Sequence, residues 1–147
     1  MKKILIPPVF LVIGFTLIVL FYYFVPLLNV IPYPYNLGGL FIAFPGFACM
    51  GITSLLFKKH RTTLMIAKSS CMITEGIFGK TRNPMYVGMF MSLLGFALCS
   101  MNLLALAIPF VFIALIKIMF IPVEEKLMLK TFGQDYINYQ NKVRRWI

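Results

Sequence analysis

The chain has 147 residues, of which 61% are hydrophobic and 12% are charged. This composition lies far outside the range of soluble globular domains, so it excludes a soluble enzyme and predicts one integral membrane domain over residues 1–147. The net charge of +10 is better explained by membrane sidedness than by nucleic acid, and we expect no nucleic-acid partner. Three scattered cysteines and a lone histidine predict neither a disulfide framework nor a metal site.

Four hydrophobic runs predict an all-α fold with four transmembrane helices. These helices are expected at about 4–25, 37–57, 84–101 and 103–121. In the second run, Pro45 followed by Gly46 predicts a kink. In the third run, the small residues Gly88, Ser92 and Gly95 would allow a neighbouring helix to approach closely.

The pattern beyond the fourth run is that of a soluble segment, which predicts a short helical tail over residues 122–147. Pro122 fits the start of a helix and Gly133 fits its end. A final helix then has one face formed by residues at helical spacing, Tyr136, Tyr139 and Val143. This pattern predicts an amphipathic helix lying against the membrane surface.

The cations lie on one side of the predicted spans. All 14 lysines and arginines fall before the first span, between the second and third, or at and beyond the end of the fourth. The turns near Tyr33 and Asn102 carry none. By the positive-inside rule, both termini and the polar segment before the third span face the cytoplasm.

That polar segment, residues 74–88, concentrates turn-forming and charged residues in an otherwise apolar chain. Asn83 followed by Pro84 reads as a helix N-cap with proline at the first helical position. Unpaired N–H groups at such a helix start attract a carboxylate, and Arg82 adds a planar fork of donors. The hairpin of the third and fourth spans would bring this helix start close to Glu124.

A second polar motif follows the fourth span, and the two motifs together resemble a known family. The first reads Thr-x-Gly-x-Phe-x-x-x-Arg-Asn-Pro-Met-Tyr-x-Gly. The second comprises Glu124-Glu125, Phe132-Gly133, Tyr136, Tyr139 and Val143. In this order, separated by a hydrophobic hairpin, they resemble the isoprenylcysteine carboxyl methyltransferase family, whose broader relatives include the phospholipid N-methyltransferases. The resemblance covers roughly residues 60–147.

The resemblance implies a methyltransferase of the bacterial inner membrane that uses S-adenosyl-L-methionine and whose site faces the cytoplasm. It implies catalytic roles for Arg82 and Glu124, with Glu124 also contacting the cofactor. Glu125 should matter less if it faces water. The implied cofactor pocket is lined by Thr63, Ser70, Cys71, Met72, Ile73, Phe78, Asn83, Pro84, Met85, Tyr86 and Glu124.

The chain departs from the family at one telling position. Where the prenylcysteine enzymes have a substrate-binding arginine, one turn before the glutamate, this chain has Phe120. This departure disfavours a prenylcysteine carboxylate as the methyl acceptor. We expect instead another lipophilic small molecule or a lipidated acceptor, and membrane lipids as partners. Two alternatives stay open, a phospholipid N-methyltransferase and a small non-catalytic membrane scaffold. Sterol reductases share a similar arginine–proline–tyrosine element, but they need more spans than this chain supplies.

Overall fold

The computed structural model describes residues 7–26, 30, 32–60 and 71–146, and throughout these ranges the regular structure is helical. Thr63 and Ser70 lie outside the described residues. In chain order the helices are α1 (Pro7–Phe24), α2 (Gly38–Lys59), α3 (Pro84–Cys99), α4 (Ala107–Leu115), α5 (Ile121–Phe132) and α6 (Gln134–Lys142). The predicted all-α architecture is therefore confirmed for the described part of the chain.

Three helical runs are long and apolar enough to cross a membrane, namely α1, Tyr35–Lys59 and Ala107–Phe132. The apolar helix α3 has 16 residues, or roughly 24 Å at 1.5 Å per residue, which is shorter than a hydrocarbon core of about 30 Å. The run Ala107–Phe132 has 26 residues, or roughly 39 Å. It is therefore long enough to carry its C-terminal end beyond the hydrocarbon.

Helices α2 and α3 approach each other closely through small residues, as the sequence predicted. A Cβ added to Gly88 would lie 2.7 Å from the carbonyl oxygen of Gly46. A Cβ on Gly95 would overlap the carbonyl oxygen of Gly39, and one on Gly46 would lie 2.6 Å from the amide nitrogen of Ser92. Glycine is needed at these positions because the two backbones leave no room for a side chain.

The core forms around α3. Met89 and Leu93, on successive turns of this helix, are fully or almost fully buried. The same cluster is completed by apolar residues of α1, α4 and the start of α5, including Leu11, Ile18, Ile108, Phe112, Ile116, Phe120 and Ile121. Neighbouring helices thus cover α3, which fits its being shorter than the three runs that are long enough to cross a membrane.

The turn between α3 and α4 is built on Asn102, whose side chain is fully buried. Its Oδ1 accepts hydrogen bonds from the backbone amides of Leu104, at 3.0 Å, and Ala105, at 3.3 Å. Its Nδ2 donates to the carbonyl oxygens of Phe21, at 3.2 Å, and Val25, at 2.8 Å. One amide therefore shapes the predicted reversal and ties it to the end of α1.

Pro122 lies on the first turn of α5, as the sequence predicted, but α5 does not begin as a separate helix. The helix runs on from α4 through a π-helical turn, Ile116–Phe120, directly into α5. Proline has no N–H and its ring crowds the carbonyl group four residues earlier, here that of Ile118. The wider π turn just before Pro122 accommodates that misfit without ending the helix.

The apolar face of α6 packs against the protein, which corrects the expectation that it lies on the membrane surface. Tyr136, Tyr139 and Val143 are all buried, and they form a small cluster with the partly buried Met72, Met128 and Phe132. Helix α6 therefore folds back over the loop before α3 and over α5. The cause is a reversal at Gly133, which ends α5 as predicted and has a positive φ of 52°.

Candidate active site

The loop that leads into α3 is fastened to the end of α2. The Glu75 carboxylate lies 2.9 Å from Lys59 Nζ and 2.9 Å from His60 Nε2. Hydrogen bonds from Lys59 and then His60 lower the pKa of the exposed Glu75. Within the 3-10 turn Gly76–Gly79, the buried Phe78 packs edge-on against Phe57, with ring centroids 5.7 Å apart. These contacts set the position from which the chain enters α3.

The start of α3 is as predicted in position but not in its capping. Asn83 occupies the N-cap position and Pro84 the first helical position, yet the Asn83 side chain makes no cap hydrogen bond. Its Nδ2 instead donates to the carbonyl oxygen of Arg145 at 3.1 Å, which the hydroxyl of Thr81 also reaches at 3.1 Å. The prediction of a side-chain cap is wrong: a cap requires Asn83 Oδ1 to accept from a backbone amide at the start of α3, and the side-chain amide is instead oriented by the hydrogen bond that its Nδ2 donates to Arg145.

That carbonyl belongs to the C-terminal strap, which we define as residues 143–146. The backbone amide of Arg82 donates to the carbonyl oxygen of Arg144 at 3.0 Å. At one end of the strap, Val143 is buried in the α6 cluster. At the other end, Trp146 packs against the main core. The strap therefore closes over the residues that immediately precede α3.

Tyr86, on the first turns of α3, meets Glu124, on the first turn of α5. The Tyr86 hydroxyl donates to Glu124 Oε1 at 2.5 Å, and Tyr86 is only 6% exposed. The predicted approach of this helix start to Glu124 is thus present in the structure. It places a carboxylate at the boundary between the apolar core and the polar end of the molecule.

The condition that Glu125 faces water is not met, because two arginines surround its carboxylate. Arg145 binds both oxygens, with Nε 3.0 Å from Oε1 and Nη2 2.8 Å from Oε2. Arg82 Nη1 lies 3.1 Å from Oε1. The side chain of Glu125 is 20% exposed and that of Arg82 is 12% exposed. Adjacent glutamates thus have different partners because neighbouring residues of a helix point about 100° apart.

Arg82 is incompletely satisfied. Its Nε and Nη1 are buried and have no hydrogen-bond partner, because Nη1 approaches Glu125 at ion-pair distance without hydrogen-bond geometry. Two nitrogens of the guanidinium group are therefore shielded from water without a hydrogen-bond partner, which costs free energy unless a ligand supplies acceptors.

Two tyrosines of α6 lie close to Arg82 and stay neutral at physiological pH. Burial raises the pKa of Tyr139 to about 12. Burial, and secondly the charge of Glu125, also raise the pKa of Tyr136. The Tyr139 hydroxyl donates to the carbonyl oxygen of Phe78 at 2.7 Å. These phenols give this side of the site a polar but uncharged wall.

The remaining predicted cofactor residues are spread over a wider area. Cys71 and Met72 are partly buried and Ile73 is buried; the thiol of Cys71 lies 3.7 Å from the carbonyl oxygen of His60. Met85 belongs to the main core. A cavity of about 490 Å³ lies beside the loop and is lined by Met72, Thr74, Phe132, Asp135, Asn138, Tyr139 and Lys142. Its volume suits a small ligand, and its lining includes neither Arg82 nor Glu124.

Phe120 lies inside the apolar core. It is buried and meets Phe10 edge-on, with ring centroids 5.5 Å apart. The position that would carry a substrate-binding arginine in the prenylcysteine enzymes is thus filled by a packed ring. Sequence reasoning found this departure, but it missed the roles of Thr81 and Arg145. The hydrogen bond between these two residues joins positions 64 apart in the chain.

A helical, apolar scaffold with three runs long enough to cross a membrane defines an integral membrane protein. The sequence profile of the phospholipid methyltransferase family matches residues 29–135, which is more than half of the chain. The chain therefore belongs to the phospholipid methyltransferase family, and the protein is a membrane methyltransferase. A comparison with individual curated proteins finds no match. The matched region ends before the C-terminal strap.

Proposed function

We propose that the protein transfers a methyl group from S-adenosyl-L-methionine to a lipophilic acceptor. Family membership supports this proposal, because methyltransferases of this family generally use that cofactor. The observation that carries it is the pairing of opposite charges with unused hydrogen-bonding capacity. Arg82 has two buried nitrogens without hydrogen-bond partners, and the carboxylate of Glu124 stands on the facing helix, held by Tyr86.

These residues fit the dipolar amino-acid part of the cofactor, which carries a carboxylate and an ammonium group. The planar guanidinium of Arg82 suits a carboxylate, and its unpaired donors would gain their missing acceptors. Glu124 suits the ammonium, and its negative charge also favours a nearby sulfonium. Tyr86 occupies one oxygen of Glu124 and fixes its orientation.

The chemistry that the cofactor supplies is a methyl group on a sulfonium sulfur, which the lone pair of an acceptor atom displaces to leave S-adenosylhomocysteine. Such an in-line displacement depends on alignment and exclusion of water more than on a specialised side chain. In this chain, Arg82 and Glu124 would set the alignment. The buried cluster around Met85, Tyr86 and Ile121 would keep water from the apolar side.

The acceptor that we propose is a neutral or amine-bearing lipid rather than a prenylcysteine. The packed ring of Phe120 offers no charge for a carboxylate, and family membership is compatible with phospholipid N-methylation. An acceptor from the bilayer would reach the site laterally, because a route through water would expose its apolar part at a cost of about 0.8 kcal/mol for each CH₂ group.

We further propose that the chain crosses a bacterial inner membrane four times, with both termini in the cytoplasm. The one-sided distribution of lysine and arginine supports this topology. The packing of α3 among other helices supports counting this short helix as a span in addition to the three long runs. In a variant without native cysteines, Tyr33→Cys should be labelled from outside the cell and Asn141→Cys only after the membrane is opened. Labelling of Asn141→Cys from outside would refute the topology.

The function is tested in two steps with detergent-purified protein. Binding of S-adenosylhomocysteine by calorimetry should be detectable, and its absence would refute the proposal in favour of a scaffold. Transfer of tritiated methyl groups is then measured on a panel of membrane lipids beside a farnesylcysteine analogue. We expect transfer to neutral or amine-bearing lipids and little to the analogue, whereas robust methylation of the analogue would overturn the proposed acceptor class.

A further inference from the structure

The C-terminal strap holds an arginine next to the site but beyond the region matched by the family profile. We propose that Arg145 is a positioning residue: by binding both oxygens of Glu125, it keeps that carboxylate from forming hydrogen bonds with Arg82 and leaves the donors of Arg82 available for an oxyanion of a ligand. This inference rests on the proposed function, because it concerns how Arg82 is kept available.

The geometry shows two guanidinium groups competing for one carboxylate. Arg145 grips Glu125 with two hydrogen bonds, at 3.0 and 2.8 Å, one to each oxygen. Arg82 Nη1 reaches the same Oε1, at 3.1 Å, yet forms no hydrogen bond there. A two-bond arginine–carboxylate pair is strong and directional, so Arg145 determines the orientation of Glu125.

The position of the strap does not depend on the side chain of Arg145. The carbonyl oxygens of Arg144 and Arg145 accept hydrogen bonds from the loop before α3. Val143 and Trp146 pack into two separate apolar clusters. A substitution that removes only the guanidinium should therefore leave the strap in place and release Glu125.

Once released, Glu125 would be free to turn towards Arg82, whose Nη1 is already within 3.1 Å. Arg82 would then form hydrogen bonds to Glu125 in place of its present ion-pair contact and lose affinity for an external oxyanion. That oxyanion is either the carboxylate of the methyl donor or a phosphate of a lipid headgroup. The two sources differ in the assay, since only the first changes the binding of S-adenosylhomocysteine in the absence of lipid.

The experiment compares Arg145→Gln with the double variant Glu125→Gln/Arg145→Gln. We expect Arg145→Gln to weaken S-adenosylhomocysteine binding at least about tenfold, the loss of about 1.4 kcal/mol of binding free energy. Arg145→Lys should lie between this variant and the wild type, because an ammonium lacks the two-pronged geometry. The double variant should recover to within about threefold of wild type, since the competing carboxylate is gone.

Arg144→Gln is the matched control, because it makes the same change of charge at an adjacent, exposed side chain. It should bind like the wild type, and an equal loss there would overturn the inference in favour of a general charge effect. Thermal unfolding of each variant checks folding. If the oxyanion is a lipid phosphate, Arg145→Gln should raise the KM for the lipid instead of weakening cofactor binding. The double variant should then bring that KM back towards the wild-type value.

A double variant that binds no better than Arg145→Gln, and shows no rescue of KM, would overturn the inference while leaving the methyltransferase proposal intact. A purely structural role for Arg145 predicts this result, because removing both partners cannot restore packing. Wild-type protein that neither binds S-adenosylhomocysteine nor transfers methyl groups would instead refute the proposed function itself.

Discussion

Replacing Glu124 by glutamine gives the sharpest test of the site. The substitution keeps the shape of the side chain, and its amide oxygen can still accept the hydrogen bond that the Tyr86 hydroxyl donates at 2.5 Å. Only the negative charge is lost. Truncating one partner of a buried, hydrogen-bonded charge pair costs about 2–5 kcal/mol. Because Glu124 is partly rather than fully buried, we expect about 2–3 kcal/mol, or roughly 30- to 150-fold in affinity.

The assay is calorimetric titration of S-adenosylhomocysteine into detergent-purified protein, with thermal unfolding as a check on folding. Glu125→Gln is the matched control, since it removes the same charge from the neighbouring residue, whose partners are Arg82 and Arg145. We expect it to change affinity by no more than about threefold, because its carboxylate does not face the ammonium of the ligand. Folded Glu124→Gln protein that binds as tightly as wild type would refute the assignment of Glu124.

Two further predictions concern stability. Gly95→Ala should lower the free energy of unfolding by about 1–3 kcal/mol, because its Cβ would overlap the backbone of α2. Gly51→Ala is the control and should not lower it, because a Cβ there meets nothing. Denaturant unfolding in detergent distinguishes the two variants. Tyr139→Phe should cost about 0.5–1.5 kcal/mol by removing the hydrogen bond to Phe78. Since its folded-state pKa is raised to about 12 above the ordinary value of about 10, the contribution of Tyr139 is complete below pH 10 and lost between pH 10 and 12. An alkaline unfolding profile that is the same with and without the hydroxyl would contradict this explanation.

The sequence was sufficient to predict the local features of the site region. Long apolar runs must form helices in a membrane, because backbone groups find no other partners there, and α1 and α2 lie close to their predicted ranges. Glycines spaced along α3 indicated a close neighbour, and Pro84 marked the first residue of that helix. The hairpin of adjacent helices was enough to predict that Tyr86 approaches Glu124.

Only the tertiary structure decided which partner each charged group takes. Glu124 and Glu125 are adjacent, and which of them faces Tyr86 depends on the rotation of α5, which the π turn at Ile116–Phe120 helps to set. Asn83 gives its side-chain donor to the carbonyl oxygen of Arg145, and Arg145 binds Glu125, because the reversal at Gly133 brings the C-terminal strap back to the loop before α3. Such contacts join residues 20 to 64 positions apart, and local sequence patterns carry no information about them.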